Sequence, residues 1–180
     1  DLNSKKVWGK SQKIDIPEDG VVIDIFTIDF PQNITQVHFI KLRLFDTKGK
    51  EVANTFYWRS NDKYEGRKTL TGPTSSGFED LSKLKQVQLK TRYQTYQEGD
   101  RHFIKAEIKN PSSTVAFFTQ LQLLGQDKKP VRPSFYTDNF FSLLPGESKT
   151  VIIETAASDM PSEPTFVVKG WNIKPSSFKL

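Results

Sequence analysis

The sequence contains no cysteine, one methionine and two histidines. Without cysteine there is no disulfide, no thiolate nucleophile and no thiolate zinc site, and the usual redox clue to compartment is missing as well. His38 and His102 lie in different halves, and neither has a second histidine at ligand spacing. No apolar run approaches the ~20 residues of a bilayer-crossing helix, so no membrane partner is expected. The opening Asp1-Leu2-Asn3-Ser4-Lys5-Lys6 lacks the apolar core of a signal peptide and reads as an internal stretch of a longer chain. Glycine-rich phosphate loops and a G-x-S-x-G nucleophile turn are absent too. The net charge is +5, but the basic residues are scattered. The runs Lys5-Lys6 and Lys128-Lys129 are too short to track a phosphate backbone, so nucleic acid is not an expected partner.

What the sequence has is aromatic bulk and period-2 alternation. Fourteen Phe, five Tyr and three Trp in 180 residues give each half enough volume for a core. No stretch keeps a helical period for three turns. Residues 21–28 place Val21, Ile23, Ile25 and Thr27 on one face, and residues 37–45 set Ile40, Leu42 and Leu44 opposite Lys41 and Arg43. The turn Asp46-Thr47-Lys48-Gly49 then returns the chain along 51–58 as a hairpin. A further strand pair is expected at 5–9 and 13–16. Between 60 and 82 the alternation gives way to Ser, Gly, Thr and Lys, with one short helical turn expected at 78–84. Strands resume at 86–92, 103–110, 116–124, 131–136, 148–154 and 165–172.

Short strands at this spacing predict an all-β chain of two tandem immunoglobulin-like β-sandwich modules. Residues 1–65 form a partial sandwich, 66–82 a linker and 83–180 a complete sandwich. With only four or five strands, the first module reads as truncated at its N-terminal side. Its open edge offers a contact for a strand-mediated homodimer.

Catalytic chemistry has little to work with. Glycosidic cleavage in most families needs two carboxylates about 5–10 Å apart. The acids here fall in turns (Asp19, Glu65, Asp100, Asp127, Glu147, Asp159) or alternate outward on strands (Asp24, Glu107, Glu154). Both histidines read as partly exposed strand-edge residues. No catalytic residue, cofactor or metal ligand is therefore expected. Two aromatic clusters remain. In Phe56-Tyr57-Trp58, Phe56 and Trp58 share a face, expected inward, while Tyr57 points away. In the run from Phe135 to Glu147, Asp138-Asn139 reads as a turn with Asp138 capping backbone N–H groups. Phe140 and Leu143 are expected to pin that loop to the core. Tyr136, Asp138, Asn139 and Tyr57 are the candidates for an interdomain or glycan contact.

At this point the residues become specific. Asn54-Thr55-Phe56-Tyr57-Trp58 resembles the "N-x-F-Y-W" strand in the penultimate immunoglobulin-like domain of glycoside hydrolase family 2 enzymes of the β-mannosidase and exo-β-D-glucosaminidase type. Ala116-Phe117-Phe118, the run Tyr136 to Glu147, and Gly170-Trp171-Asn172 are similar to the "A-F-F", "Y-S-D-N-Y-F-S-L-L-P-G-E" and "G-W-N" segments of the last domain, with Thr137 and Phe140 in place of the usual Ser and Tyr. Asp1-Leu2-Asn3-Ser4-Lys5 resembles the "D-L-N-G-K" hairpin of the penultimate domain. The resemblance implies a non-catalytic accessory region. The catalytic glutamates would lie on an upstream (β/α)₈ barrel of about 250 residues. That barrel and the sugar-binding domains would be its partners, and bacterial relatives point to a periplasmic or secreted location. A carbohydrate-binding module using exposed tyrosines, or a surface adhesion module, are the alternative readings.

Overall fold

The computed structural model describes residues 1–61 and 77–180. The chain is all-β, and ten strands are present among these residues. The first two, β1 (Val37–Phe45) and β2 (Glu51–Ser60), form a two-stranded antiparallel hairpin. The other eight build a sandwich. Strands β3 (Lys90–Glu98), β4 (Arg101–Lys109), β8 (Ser148–Ala156) and β6 (Phe135–Tyr136) form one sheet in that order. Strands β10 (Ile173–Lys179), β9 (Thr165–Gly170), β5 (Ala116–Leu124) and β7 (Phe141–Leu143) form the other.

Alternation explains the sandwich core. Ile104, Ala106 and Ile108 of β4 face Leu121 and Leu123 of β5, Val151 and Ile153 of β8, and Phe166 and Val168 of β9, all almost fully buried. The intervening Lys105, Glu107 and Lys109 point to solvent. Burying each large aliphatic side chain here contributes roughly 1.5–3 kcal/mol. A second cluster lies outside this core. Val37, Leu81, Leu84, Val115 and Phe117 are buried together, with Leu2, Phe39, Phe56 and Phe78 packed on them. It joins the hairpin to one end of the sandwich. A hairpin alone is marginal in water, and this one is seated by sharing a core with its neighbour.

The expected strands at 5–9, 13–16 and 21–28 are not formed: residues 1–36 hold turns and extended chain but no strand. The apolar alternation is present, yet Val21 and Ile23 are 85% and 76% exposed, and no described strand pairs with the segment. A strand is made by its ladder partner, not by its pattern alone. At 86–92 the expectation ran early. Val87 bridges Ile173 of the opposite sheet, and the chain crosses to β3 only at Lys90. Strand β10 went unanticipated because Pro175 and two serines interrupt its pattern. It lies at a sheet edge with a register shift between Ile173 and Ser176, a setting that tolerates proline. The helical turn expected at 78–84 is a 3₁₀ turn at Glu79–Lys83. Residues 62–76, which hold Glu65 and most of the linker expected at 66–82, lie outside the described residues.

Candidate functional site

The motif side chains are held by β5, the strand that runs between both cores. Strand β7 pairs with β5 only at Ala116 and Thr119, so the β5 edge beyond is left to side chains. Asn139 fills the gap: its Oδ1 accepts the Leu121 N–H at 2.8 Å while its Nδ2 donates to the Leu121 carbonyl at 3.0 Å. The Tyr136 hydroxyl accepts the Leu123 N–H at 3.0 Å. Burial raises the pKa of this hydroxyl, with the Leu123 N–H opposing in part. Asp138 accepts the Asn139 N–H at 2.7 Å and pairs with Lys149. Three of the four sequence candidates therefore gather at the end of β6 and the turn after it, where Tyr136 and Asn139 cap the open backbone of β5. Tyr57 stands apart on the outer face of the hairpin, half exposed.

Two further asparagines act in the same way. Asn172, 6% exposed, accepts the Phe117 N–H at 2.9 Å and donates to the carbonyls of Val115 at 2.8 Å and Lys85 at 2.9 Å. Asn110, fully buried, donates to Thr114 and Leu143 carbonyls and accepts from Ser112. Beside Asn172, the Trp171 indole N–H donates to the Leu81 carbonyl at 3.0 Å, tying down the 3₁₀ turn. Gly170 has no room for a side chain: a Cβ would stand 2.4 Å from Ile173 Cδ1 and 2.9 Å from the Phe118 carbonyl oxygen. Each letter of Gly170-Trp171-Asn172 thus has a structural cause.

At the junction, Glu147 turns out not to be the solvated turn acid that its place after Pro145-Gly146 suggested. Its side chain is 16% exposed, and its carboxylate accepts the Lys41 ammonium at 2.7 Å on both oxygens and pairs with Arg43. The Leu144 N–H donates to it as well, at 2.9 Å. Burial pushes this carboxyl up. Lys41, the Leu144 N–H and Arg43 together outweigh that and hold it below the usual carboxylate range. Above the ion pairs, the expected shared face of Phe56 and Trp58 is directed at the sandwich. Phe56 packs on Phe39, and Trp58 meets Phe117 edge-on at 5.4 Å between ring centroids. Leu143 is buried as expected. Phe140 is instead 48% exposed, and Phe141 takes the core position.

His38 is likewise not the strand-edge residue its type suggested. It is 2% exposed, packed on Phe30 at 5.0 Å, with no well-formed hydrogen bond to either ring nitrogen. Burial lowers its pKa; Arg59 and the N-terminal ammonium add to this, and the nearby Thr35 backbone only partly opposes it. The unfolded chain then takes up the proton first. Stability is expected to fall as pH drops below the ordinary histidine value of about 6.5. Thermal unfolding at pH 7.5 and 5.5 checks this: His38→Phe should flatten the difference, and an unchanged slope would contradict the assignment.

The arrangement is architectural: polar side chains close gaps in the backbone ladder, and one carboxylate ties hairpin to sandwich. Residues 69–173, more than half the chain, match the family model described as the exo-β-D-glucosaminidase Ig-fold domain. The chain belongs to this family. It is 30% identical over 149 residues to an exo-β-D-glucosaminidase of Streptomyces avermitilis, covering 77% of this chain and 16% of that enzyme. With an exo-β-D-glucosaminidase of Amycolatopsis orientalis it shares 27% over 164 residues, covering 85% of the chain and again 16% of the enzyme. The crystal structure of the A. orientalis exo-chitosanase CsxA superimposes with a TM-score of 0.74 at 24% identity, covering 87% of this chain and 20% of that one. The chain therefore spans about a sixth of the length of these enzymes. What it matches is a non-catalytic Ig-fold accessory region, which in the relatives is part of a larger multidomain polypeptide that includes a catalytic region.

Proposed function

We propose that this chain works as the accessory region of a larger exo-acting β-glycosidase that removes glucosamine units. In that role it packs on a (β/α)₈ barrel and sugar-binding domains and steadies them. The match of residues 69–173 to the Ig-fold domain of glucosaminidases carries this reading. The internal commitment of the motif side chains supports it, since Asn139, Asn172 and Glu147 each bond within the fold. Interdomain contacts of moderate polarity suit the exposed sheet faces. The test is the full-length polypeptide with and without residues 83–180. Removal is expected to lower its unfolding temperature and its release of glucosamine from chitosan oligomers together. Unchanged stability and turnover, or a full-length enzyme that cleaves mannosides and not glucosaminides, would refute the proposal.

A further inference from the structure

Two phenylalanines hold a backbone conformation that bulky residues avoid. Phe118 and Phe140 both have φ of 58°, in the left-handed region where glycine or asparagine would sit with less strain. Phe118 lies in the register shift of β5 between Ala116 and Thr119, a bulge that sends Phe117 into the junction core and leaves Phe118 outside it. Burial does not offset the strain, because the two rings remain 37% and 48% exposed. They meet at 5.4 Å between centroids, and Trp58, 41% exposed, meets Phe118 at 6.0 Å. Rings from β2, β5 and the residue before β7 thus form one exposed apolar patch. Strained backbone persists where the surrounding structure holds it, and it clusters at contact sites. Joined apolar side chains left open to water mark such a site as well.

The surroundings of the patch say what covers it. It is the outer continuation of the seam between hairpin and sandwich, since Trp58 and Phe118 both touch Phe117, buried in that seam. The charged groups beside it are committed to one another. Among the described residues, Lys41 and Arg43 pair with Glu147, Arg43 also with Glu51, and Lys149 with Asp138. The cations and carboxylates balance, and an ion would find no unpaired charge here. Aromatic rings inside a rim of satisfied polar groups have the anatomy of a protein–protein contact. We propose that the Trp58–Phe118–Phe140 patch is the surface by which this chain docks on the remainder of a longer polypeptide, and that the docked segment presents uncharged, apolar side chains. The choice of occupant rests on the accessory role proposed above, in relatives of which this chain spans 16%. A tethered partner acts at an effective concentration of about millimolar, which favours it over a second copy of the chain.

Hydroxyl-radical footprinting read by mass spectrometry compares the rings in this chain and in the full-length polypeptide. Labelling of Trp58, Phe118 and Phe140 should fall about fivefold in the full-length protein, as partly exposed rings become as buried as a core. Phe135, 56% exposed on β6 of the other sheet, is the comparator. Protection of Phe135 with the three rings unchanged would put the contact on that sheet, which overturns the patch and leaves the accessory role standing. Unchanged labelling of the whole sandwich would remove both. Protection in the chain alone that deepens with its concentration would make a second copy the occupant and overturn the proposal. Phe140→Asn supplies the second arm, because asparagine tolerates the left-handed conformation. The chain alone should then unfold no earlier than the parent, while the protection of Trp58 and Phe118 in the full-length polypeptide is lost. Earlier unfolding of the chain alone would show that the ring serves the fold, and protection that survives the substitution would show that it lies outside the contact. Either result overturns the proposal.

Discussion

Asn172→Ala is expected to lower the unfolding free energy by about 2–6 kcal/mol, because a buried polar group left without its partner costs about 1–3 kcal/mol and two lose theirs at once. The Phe117 N–H and the Val115 carbonyl would be left facing an apolar junction, while the Lys85 carbonyl, on an exposed residue, turns to water. The cavity left behind is too small and too apolar to recruit a water for both buried groups. Urea unfolding followed by tryptophan fluorescence measures the loss. Asn172→Asp is a sharper control: it keeps an acceptor for Phe117 and loses both donations, so it should destabilise at least as much. For a domain whose total stability is ordinarily 5–15 kcal/mol, a loss on this scale leaves much of the protein unfolded at 37 °C. A loss under about 1 kcal/mol would mean that the two buried backbone groups find other partners, contrary to the geometry.

How much of this was readable beforehand follows from where each residue's partner lies. The sandwich strands announced themselves wherever both faces were decided by alternation, as in Ile104-Lys105-Ala106-Glu107-Ile108. Strand β10 did not, because its proline and serines carry no period and its existence depends on the β9 edge. Residues 21–28 show the reverse failure, a good period with nothing described to pair it. The site divides in the same manner. Asn139 and Tyr136 stood out in a recognisable run, but the gap they fill exists only because β7 stops after three residues. Glu147 looked like any acid after a Pro-Gly turn, since Lys41 is 106 residues away and no local pattern links the two. His38 alternates with apolar neighbours and gave no sign that Phe30 would cover it.

Asn139, Asn172 and Gly170 serve a common end. They fix β5 at both cores, so that its bulge can send Phe117 to the junction and Phe118 to the surface. An amide is suited to this, as it carries one acceptor and two donors and can stand in for a strand's own N–H and C=O. An apolar side chain of the same size would fill the space and leave the ladder open.

The junction itself should be sensitive to acid through Glu147. Its pKa is depressed in the folded state, so the stabilisation is present above the unfolded value of about 4.3 and is lost as pH falls through the lower folded value. Glu147→Gln keeps the shape and removes the charge, leaving Lys41, 16% exposed, without its counter-ion. Breaking a fully buried pair costs 3–5 kcal/mol; with partial exposure on both sides, about 2–4 kcal/mol is expected at pH 7. The loss should be local in origin, because among the described residues Glu147 reaches the hairpin through Lys41 and Arg43 of β1. Hydrogen exchange is the discriminating measurement. In Glu147→Gln the β1 and β2 amides should lose protection well before those of β4 and β8, and the acid-induced fall in stability should be shallower than in the parent. Uniform loss of protection across both units would show that the carboxylate supports the sandwich core and not the seat of the hairpin. Lys41→Met supplies the complementary case: with no ammonium to neutralise and an apolar chain lying along Phe56, it should lose less than Glu147→Gln, since the carboxylate left behind keeps Arg43 and the Leu144 N–H.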